Sequence, residues 1–131
     1  MVYLRLSNLK PEDSAVYYCA RHSHSGVTGQ SMESIPSSPV VKKPGETLNL
    51  SCRGSGFTFN CCTMHWIRQQ PGKALEWMGI GYSDSSRNRY VSSLSGRIQI
   101  SRDDSNSMVH LRLSNLKPED SAVYYCAKDT Q

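Results

Sequence analysis

Apolar and polar residues alternate along this chain in short bursts, and turn chemistry separates one burst from the next. Leu48, Leu50 and Cys52 share one face of a strand while Asn49 and Ser51 take the other. Met64 and Trp66 form an inward pair, with Ile67 and Gln69 pointing the opposite way. Ile98 and Ile100 repeat the pattern, and Val109, Leu111 and Leu113 alternate with His110 and Arg112. Between these bursts stand Lys43-Pro44-Gly45, Gln70-Pro71-Gly72, Asp103-Asp104-Ser105-Asn106 and Lys117-Pro118-Glu119. A period of two interrupted this often predicts many short strands and no long helix. Two stacked antiparallel sheets bury such a pattern most economically.

One stretch of this pattern occurs twice. MVYLRLSNLKPEDSAVYYCA (1–20) matches MVHLRLSNLKPEDSAVYYCA (108–127) everywhere except Tyr3 against His110. The rear copy follows enough strands to complete a sandwich, and the front copy follows none. At 131 residues the chain has room for one core. The reading is therefore one nearly whole domain with a piece of a second fused ahead of it.

Composition narrows the function classes. The net charge of +4 comes from 15 basic and 11 acidic side chains. They are scattered singly, with no basic run longer than Lys42-Lys43, which argues against nucleic-acid binding. No apolar stretch is long enough to span a membrane, so no direct membrane insertion is expected. Arg5, Lys10, Glu12 and Asp13 break up any signal-peptide core at the front. Cys19, Cys52, Cys61, Cys62 and Cys126 are odd in number, so at least one stays unpaired if the others bridge within the chain. No serine–histidine–acid or paired-carboxylate arrangement stands out, and no enzyme activity is expected.

The specific wording of the segments carries a resemblance. LSC (50–52), MHWIRQQPGKALEWMG (64–79), GRIQIS (96–101) and LKPEDSAVYYCA (116–127) resemble an immunoglobulin heavy-chain variable domain, with its cysteine, tryptophan and cysteine in order. The framework run Val40-Val41-Lys42-Lys43-Pro44-Gly45-Glu46 is similar to those of bony-fish heavy chains. The fold implied is an all-β, V-type, two-sheet Greek-key sandwich. The domain division implied is 1–29 as a truncated variable fragment with a linker or leader remnant, 30–128 as the variable domain, and 129–131 as a stub.

The resemblance implies an inter-sheet disulfide between Cys52 and Cys126 over a core containing Trp66, Leu50 and Leu111. It makes Tyr124 the corner tyrosine whose hydroxyl bonds back to the backbone. Arg97 and Asp120 match one charge pair of the family and Arg68 and Glu76 a second, both expected to be structural. Ile67, Gln69, Leu75, Trp77 and Tyr125 map onto the face that meets a light chain. Leu75 and Trp77 would otherwise form an exposed apolar patch. The rival reading has them covered by the domain's own third hypervariable loop.

The resemblance places the first two antigen-facing loops at 56–64 and at 82 to about 90. The second, YSDSSRNRY, suits adaptable recognition, with Tyr82, Asp84, Arg87, Arg89 and Tyr90 as candidate antigen contacts. After Cys126 the chain reads Ala-Lys-Asp-Thr-Gln. By resemblance the third loop and joining strand are missing, which predicts a sandwich short of one edge strand, with the ladder of the preceding strand open. This looks like the germline part of the binding site alone.

Cys61 and Cys62 depart from the family pattern. Adjacent cysteines are not expected to bridge each other, because the geometry strains the intervening peptide. They read instead as free thiols or as partners of a cysteine in a third loop. With His65 they suggest a metal site, but further ligands are wanting and His65 lies on the strand face opposite Trp66. No metal and no cofactor are expected. His22-Ser23-His24 reads as linker, and Asn49-Leu50-Ser51 is a glycosylation acceptor pattern with Asn49 facing outward.

Gly26-Val27-Thr28-Gly29 resembles the tail of a secretion leader, so the front segment reads as two neighbouring variable segments joined together. The two copies compete for one place in the sandwich, and the rear copy is expected to win because a short turn joins it to the fourth strand ahead of it. The displaced copy could hang free, pair across the vacant edge or exchange between chains. The leading function is antigen recognition in adaptive immunity, outside the cell or on the B-cell surface, with a light chain and antigen as partners. The alternatives are a V-type domain of a cell-surface receptor or a non-functional germline or pseudogene product.

Overall fold

The alternating bursts form strands in a computed structural model that describes residues 16–21, 23–24, 31–35 and 39–130. In chain order these strands are β1 (Val16–Arg21), β2 (Ser23–His24), β3 (Ser31–Ile35), β4 (Val40–Lys42), β5 (Leu48–Ser55) and β6 (Cys62–Gln69). They continue with β7 (Leu75–Gly81), β8 (Arg89–Tyr90), β9 (Ile98–Asp103), β10 (Met108–Leu113) and β11 (Ala122–Thr130). Only short 3-10 turns interrupt them among the described residues. One sheet runs β4-β1-β11-β6-β7-β8 and the other β2-β3-β5-β10-β9. The all-β, two-sheet expectation is met.

Burial follows the period of two. Leu48, Leu50 and Cys52 of β5 are buried while Asn49 is exposed. Val109, Leu111 and Leu113 of β10 lie level with Cys52, Leu50 and Leu48 and are equally buried. From the other sheet come Met64, Trp66, Met78, Tyr124 and Cys126. The sulfurs of Cys52 and Cys126 join the two sheets across this core, with the Cα atoms 6.6 Å apart. Trp66 stands level with Cys126 in the β6–β11 ladder and is wholly buried. Cross-linking positions 74 residues apart contributes roughly 4 kcal/mol in the chain-entropy account.

The ladder between β6 and β7 contains an irregularity. Trp66 pairs with Gly79 but Ile67 pairs with Trp77, so Met78 is an extra residue. This bulge turns Trp77 outward while Met78 stays in the core. Gly79 has to be glycine, because a Cβ there would sit 2.8 Å from the Ile100 side chain and 2.9 Å from the carbonyl of Arg89.

The expectation of an open ladder beyond β11 is overturned. β1, from the front copy of the repeat, lies between β11 and β4. It runs parallel to β11, from Tyr18 beside Ala122 to Arg21 beside Tyr125. It runs antiparallel to β4, from Val16 beside Lys42 to Tyr18 beside Val40. Of the three fates open to the displaced copy, pairing across the edge is the one adopted. Backbone groups on a strand edge gain partners this way, whatever the side chains are. His22, the leader-like stretch 26–29 and the front residues 1–15 lie outside the described residues.

Candidate functional site

Two surfaces present side chains suited to binding: the outer face of the β11–β6–β7 sheet and the loop end near β8. On the sheet, Tyr125, Ile67 and Trp77 form a row across the three strands. Val123, Gln69 and Leu75 form the next row. Leu75 is 61% exposed and Trp77 40%, while Ile67 and Tyr125 are half-buried. Both side chains keep a large part of their surface open among the described residues.

Polar groups fix the orientation of this face. The Gln69 amide donates to the carbonyl of Lys73, 3.0 Å away. The Trp77 indole N–H donates to His65 Nδ1 at 3.2 Å, and His65 Nε2 meets Thr63 Oγ1 at 3.2 Å. An accepting Nδ1 leaves the proton on Nε2, the neutral tautomer. Burial lowers the His65 pKa, and Asp129 opposes this only in part. His65 thus positions the indole, and among the described residues no group of three or more His, Cys, Asp or Glu could hold a metal.

Beneath the face lies a charge network larger than the two separate pairs expected. Arg97 meets Asp120 at 2.8 Å and Arg68 meets Glu76 at 2.7 Å. Arg68 also reaches Asp120 at 2.9 Å, which joins both pairs into one buried cluster. The Tyr124 hydroxyl donates to the backbone carbonyl of Asp120 at 2.7 Å, and the N–H of Lys117 donates to the Asp120 carboxylate at 2.8 Å. Burial pushes the Asp120 carboxyl up, yet the hydrogen bonds from Arg97, Lys117 and Arg68 hold it below its ordinary value. Burial also drives the Tyr124 hydroxyl up to about 12. A carboxylate with this many donors stays charged and pins the turn at 117–120 against β6.

At the loop end, the five candidate contact residues divide by role. Asp84 accepts from the N–H and hydroxyl of Ser86, so its carboxylate shapes the turn. The Arg87 guanidinium lies 4.5 Å from the centre of the Tyr82 ring. Tyr90 accepts from the N–H of Ile100 at 3.2 Å, which anchors its hydroxyl to β9. Arg89 donates to the carbonyls of Arg87 and Asn88. Tyr82 is half-buried, and the other four are exposed.

Alternation gave no hint of Arg102, which ties the loops together. Its side chain is 4% exposed and pairs with Asp104 at 2.9 Å. It donates to the carbonyls of Cys62 at 2.7 Å, Phe59 at 2.8 Å and Gly81 at 3.1 Å. Five donors on a rigid planar fork can serve several carbonyls and a carboxylate at once. The only available signal was an arginine ending a strand beside two aspartates.

The expectation for Cys61 and Cys62 is also overturned: the two are bonded to each other, with Cα atoms 3.7 Å apart. Cys61 ends the 3-10 turn Phe59–Cys61 and Cys62 begins β6, so the chain changes direction between them. Arg102 holds the carbonyls on either side of this junction, which braces the local backbone.

A family model of the immunoglobulin V-set domain matches residues 35–131. The chain belongs to the immunoglobulin V-set family.

Proposed function

We propose that this chain is the germline-encoded part of an immunoglobulin heavy-chain variable domain, which recognises antigen in adaptive immunity when paired with a light chain. V-set domains are binding modules of extracellular or cell-surface proteins and bind other proteins or antigens. No helix among the described residues is long and apolar enough to cross a membrane. The observation that carries the finer reading is the exposure of Leu75 and Trp77 in line with Ile67, Gln69 and Tyr125. Two large apolar side chains held outward by a bulge and by His65 form a prepared contact.

In this reading the loop at 82–90 contacts antigen, with Arg87 and Arg89 most available, Tyr82 half-buried against Arg87, and Asp84 and Tyr90 shaping the loop. Residues 1–29 derive from the end of a second variable segment and its neighbouring leader, as the near-identical repeat suggests. The framework wording at 40–46 favours a bony-fish source.

Mixing the full chain with light-chain variable domains tests the pairing by sedimentation. A heterodimer is expected, and Trp77→Ala should weaken it by about 2 kcal/mol. If no light chain binds while a cell-surface protein occupies the same face, the V-type receptor reading replaces this one.

A further inference from the structure

The outer face of the other sheet carries its own candidate chemistry. Asn49 is exposed near the start of β5, one pair in from the end of the β5–β10 ladder and level with Arg112. Ser51, two residues on, lies on the same side, and Ile35 of β3 stands beside it with 38% exposure. Asn49-Leu50-Ser51 is the only Asn-x-Ser/Thr pattern in the chain, and its middle residue is not proline. A second observation places this pattern in the right compartment. The Cys52–Cys126 bond is buried and joins the sheets, so the fold requires an oxidising lumen, where N-glycosylation also takes place.

We propose that Asn49 is an N-glycosylation site, modified before β5 joins its sheet, and that the glycan covers the face opposite the one bearing Leu75 and Trp77. In the transfer, Asn49 Nδ2 bonds to the anomeric carbon of a lipid-pyrophosphate-linked oligosaccharide. The bond from that carbon to the pyrophosphate oxygen breaks, the pyrophosphate leaves with the electron pair, and the amide gives up one proton.

The order of events follows from the strand. In an extended chain, side chains two residues apart are separated by about 6.7 Å. The acceptor reaction needs the Ser51 hydroxyl beside the Asn49 amide, as in a local loop. Once folded, that hydroxyl is bonded to His110 Nδ1 at 2.7 Å, and the backbone on either side is held by β10. Cys52 follows Ser51 directly, so closure of the bond to Cys126 fixes the strand and ends the opportunity. Modification and disulfide closure therefore compete for the same few residues.

The test is to secrete the full chain from eukaryotic cells behind a leader. A single mobility shift is expected. Peptide N-glycosidase should remove it and leave aspartate at position 49. Asn49→Gln should lose the shift and Ser51→Thr should keep it. A secreted, oxidised chain with an unmodified Asn49 overturns the site. For the order, purified oligosaccharyltransferase should modify the reduced, unfolded chain and spare the oxidised, folded one. Equal modification of both overturns the order. These readouts do not depend on the partner reading.

Discussion

Val-Tyr-Tyr-Cys-Ala occurs at 16–20 and again at 123–127, and the two copies occupy different places in one sheet. The rear copy lies in β11, paired along β6 from Val123 beside Gln69 to Thr130 beside Cys62. It supplies Tyr124 and Cys126 to the core. The front copy lies in β1, next to β11, and meets it only from Tyr18 to Arg21. Five identical residues have identical intrinsic preferences, so propensity does not choose between these places. Connectivity does: the short turn at 104–107 ties β10 to β9, its neighbour in the sheet, and only the rear copy has that link. The front copy reaches the sheet late in this sense and takes the edge that is left. The one difference within the repeat sharpens the choice, because His110 bonds Ser51 and stands where the front copy has Tyr3.

The comparison breaks most severely at Cys126. In Cys126→Ser only the front copy can offer a sulfur to Cys52. We expect a loss of roughly 4 kcal/mol, read from denaturant unfolding, with Cys52 open to alkylation. A Cys19–Cys52 bond with near-normal stability would show instead that the copies are interchangeable and that connectivity is a weak constraint.

Asp120 comes next, since the front copy carries Asp13 at the same point of the repeat. Asp120→Ala leaves Arg68 and Arg97 facing each other without their shared carboxylate. Breaking a buried pair in this way should cost about 3 kcal/mol. Acid acts on the same group. Its folded pKa lies below the ordinary carboxylate value, so the stabilisation is present above that ordinary value and lost as pH falls through the folded one. Stability of the wild type should therefore drop on acidification, and the drop should be shallower in Asp120→Ala.

A weaker test touches the front copy alone. Tyr18→Pro removes a backbone donor from β1 where it lies beside both Ala122 and Val40. Edge pairing contributes little, so we expect a loss of about 1 kcal/mol or less. Hydrogen exchange should speed up at those amides of 122–125 that point toward β1, with the β6 side unchanged. Unchanged exchange on both sides would mean that β1 does not close this edge.

What the sequence disclosed follows the same division between local and distant information. The strands and their inward faces were legible because a period of two is a local property, as at Leu48, Leu50 and Cys52. Asp120 and Arg68 were legible singly, but their contact spans 52 positions and depends on how the turn at 117–120 folds against β6. Met78 was hidden because a bulge shifts the alternation by one residue without changing composition. Arg102 was hidden because its partners are backbone carbonyls, which every residue carries. The bond between Cys61 and Cys62 ran against the general rule for adjacent cysteines, and the turn that permits it is set by the surrounding fold. The place of β1 was left open among three fates, since an edge accepts almost any extended segment.

The smallest expected effect is the most direct measure of how the two copies are told apart. His110→Tyr makes residues 1–20 and 108–127 identical, and only connectivity then distinguishes them. The substitution removes the 2.7 Å hydrogen bond to Ser51 on a half-buried position of the sheet's outer face. A bond of this kind contributes about 1 kcal/mol, and a tyrosine at the same place recovers part of that through its own hydroxyl and cross-strand packing. Refolding this variant under oxidising conditions and mapping the disulfides gives the answer. Cys52–Cys126 should stay the main bond, with Cys19–Cys52 rising only slightly above its level in the wild type. A shift to comparable amounts would assign the choice to His110, and the turn joining β9 to β10 would then carry much less of it than the topology implies.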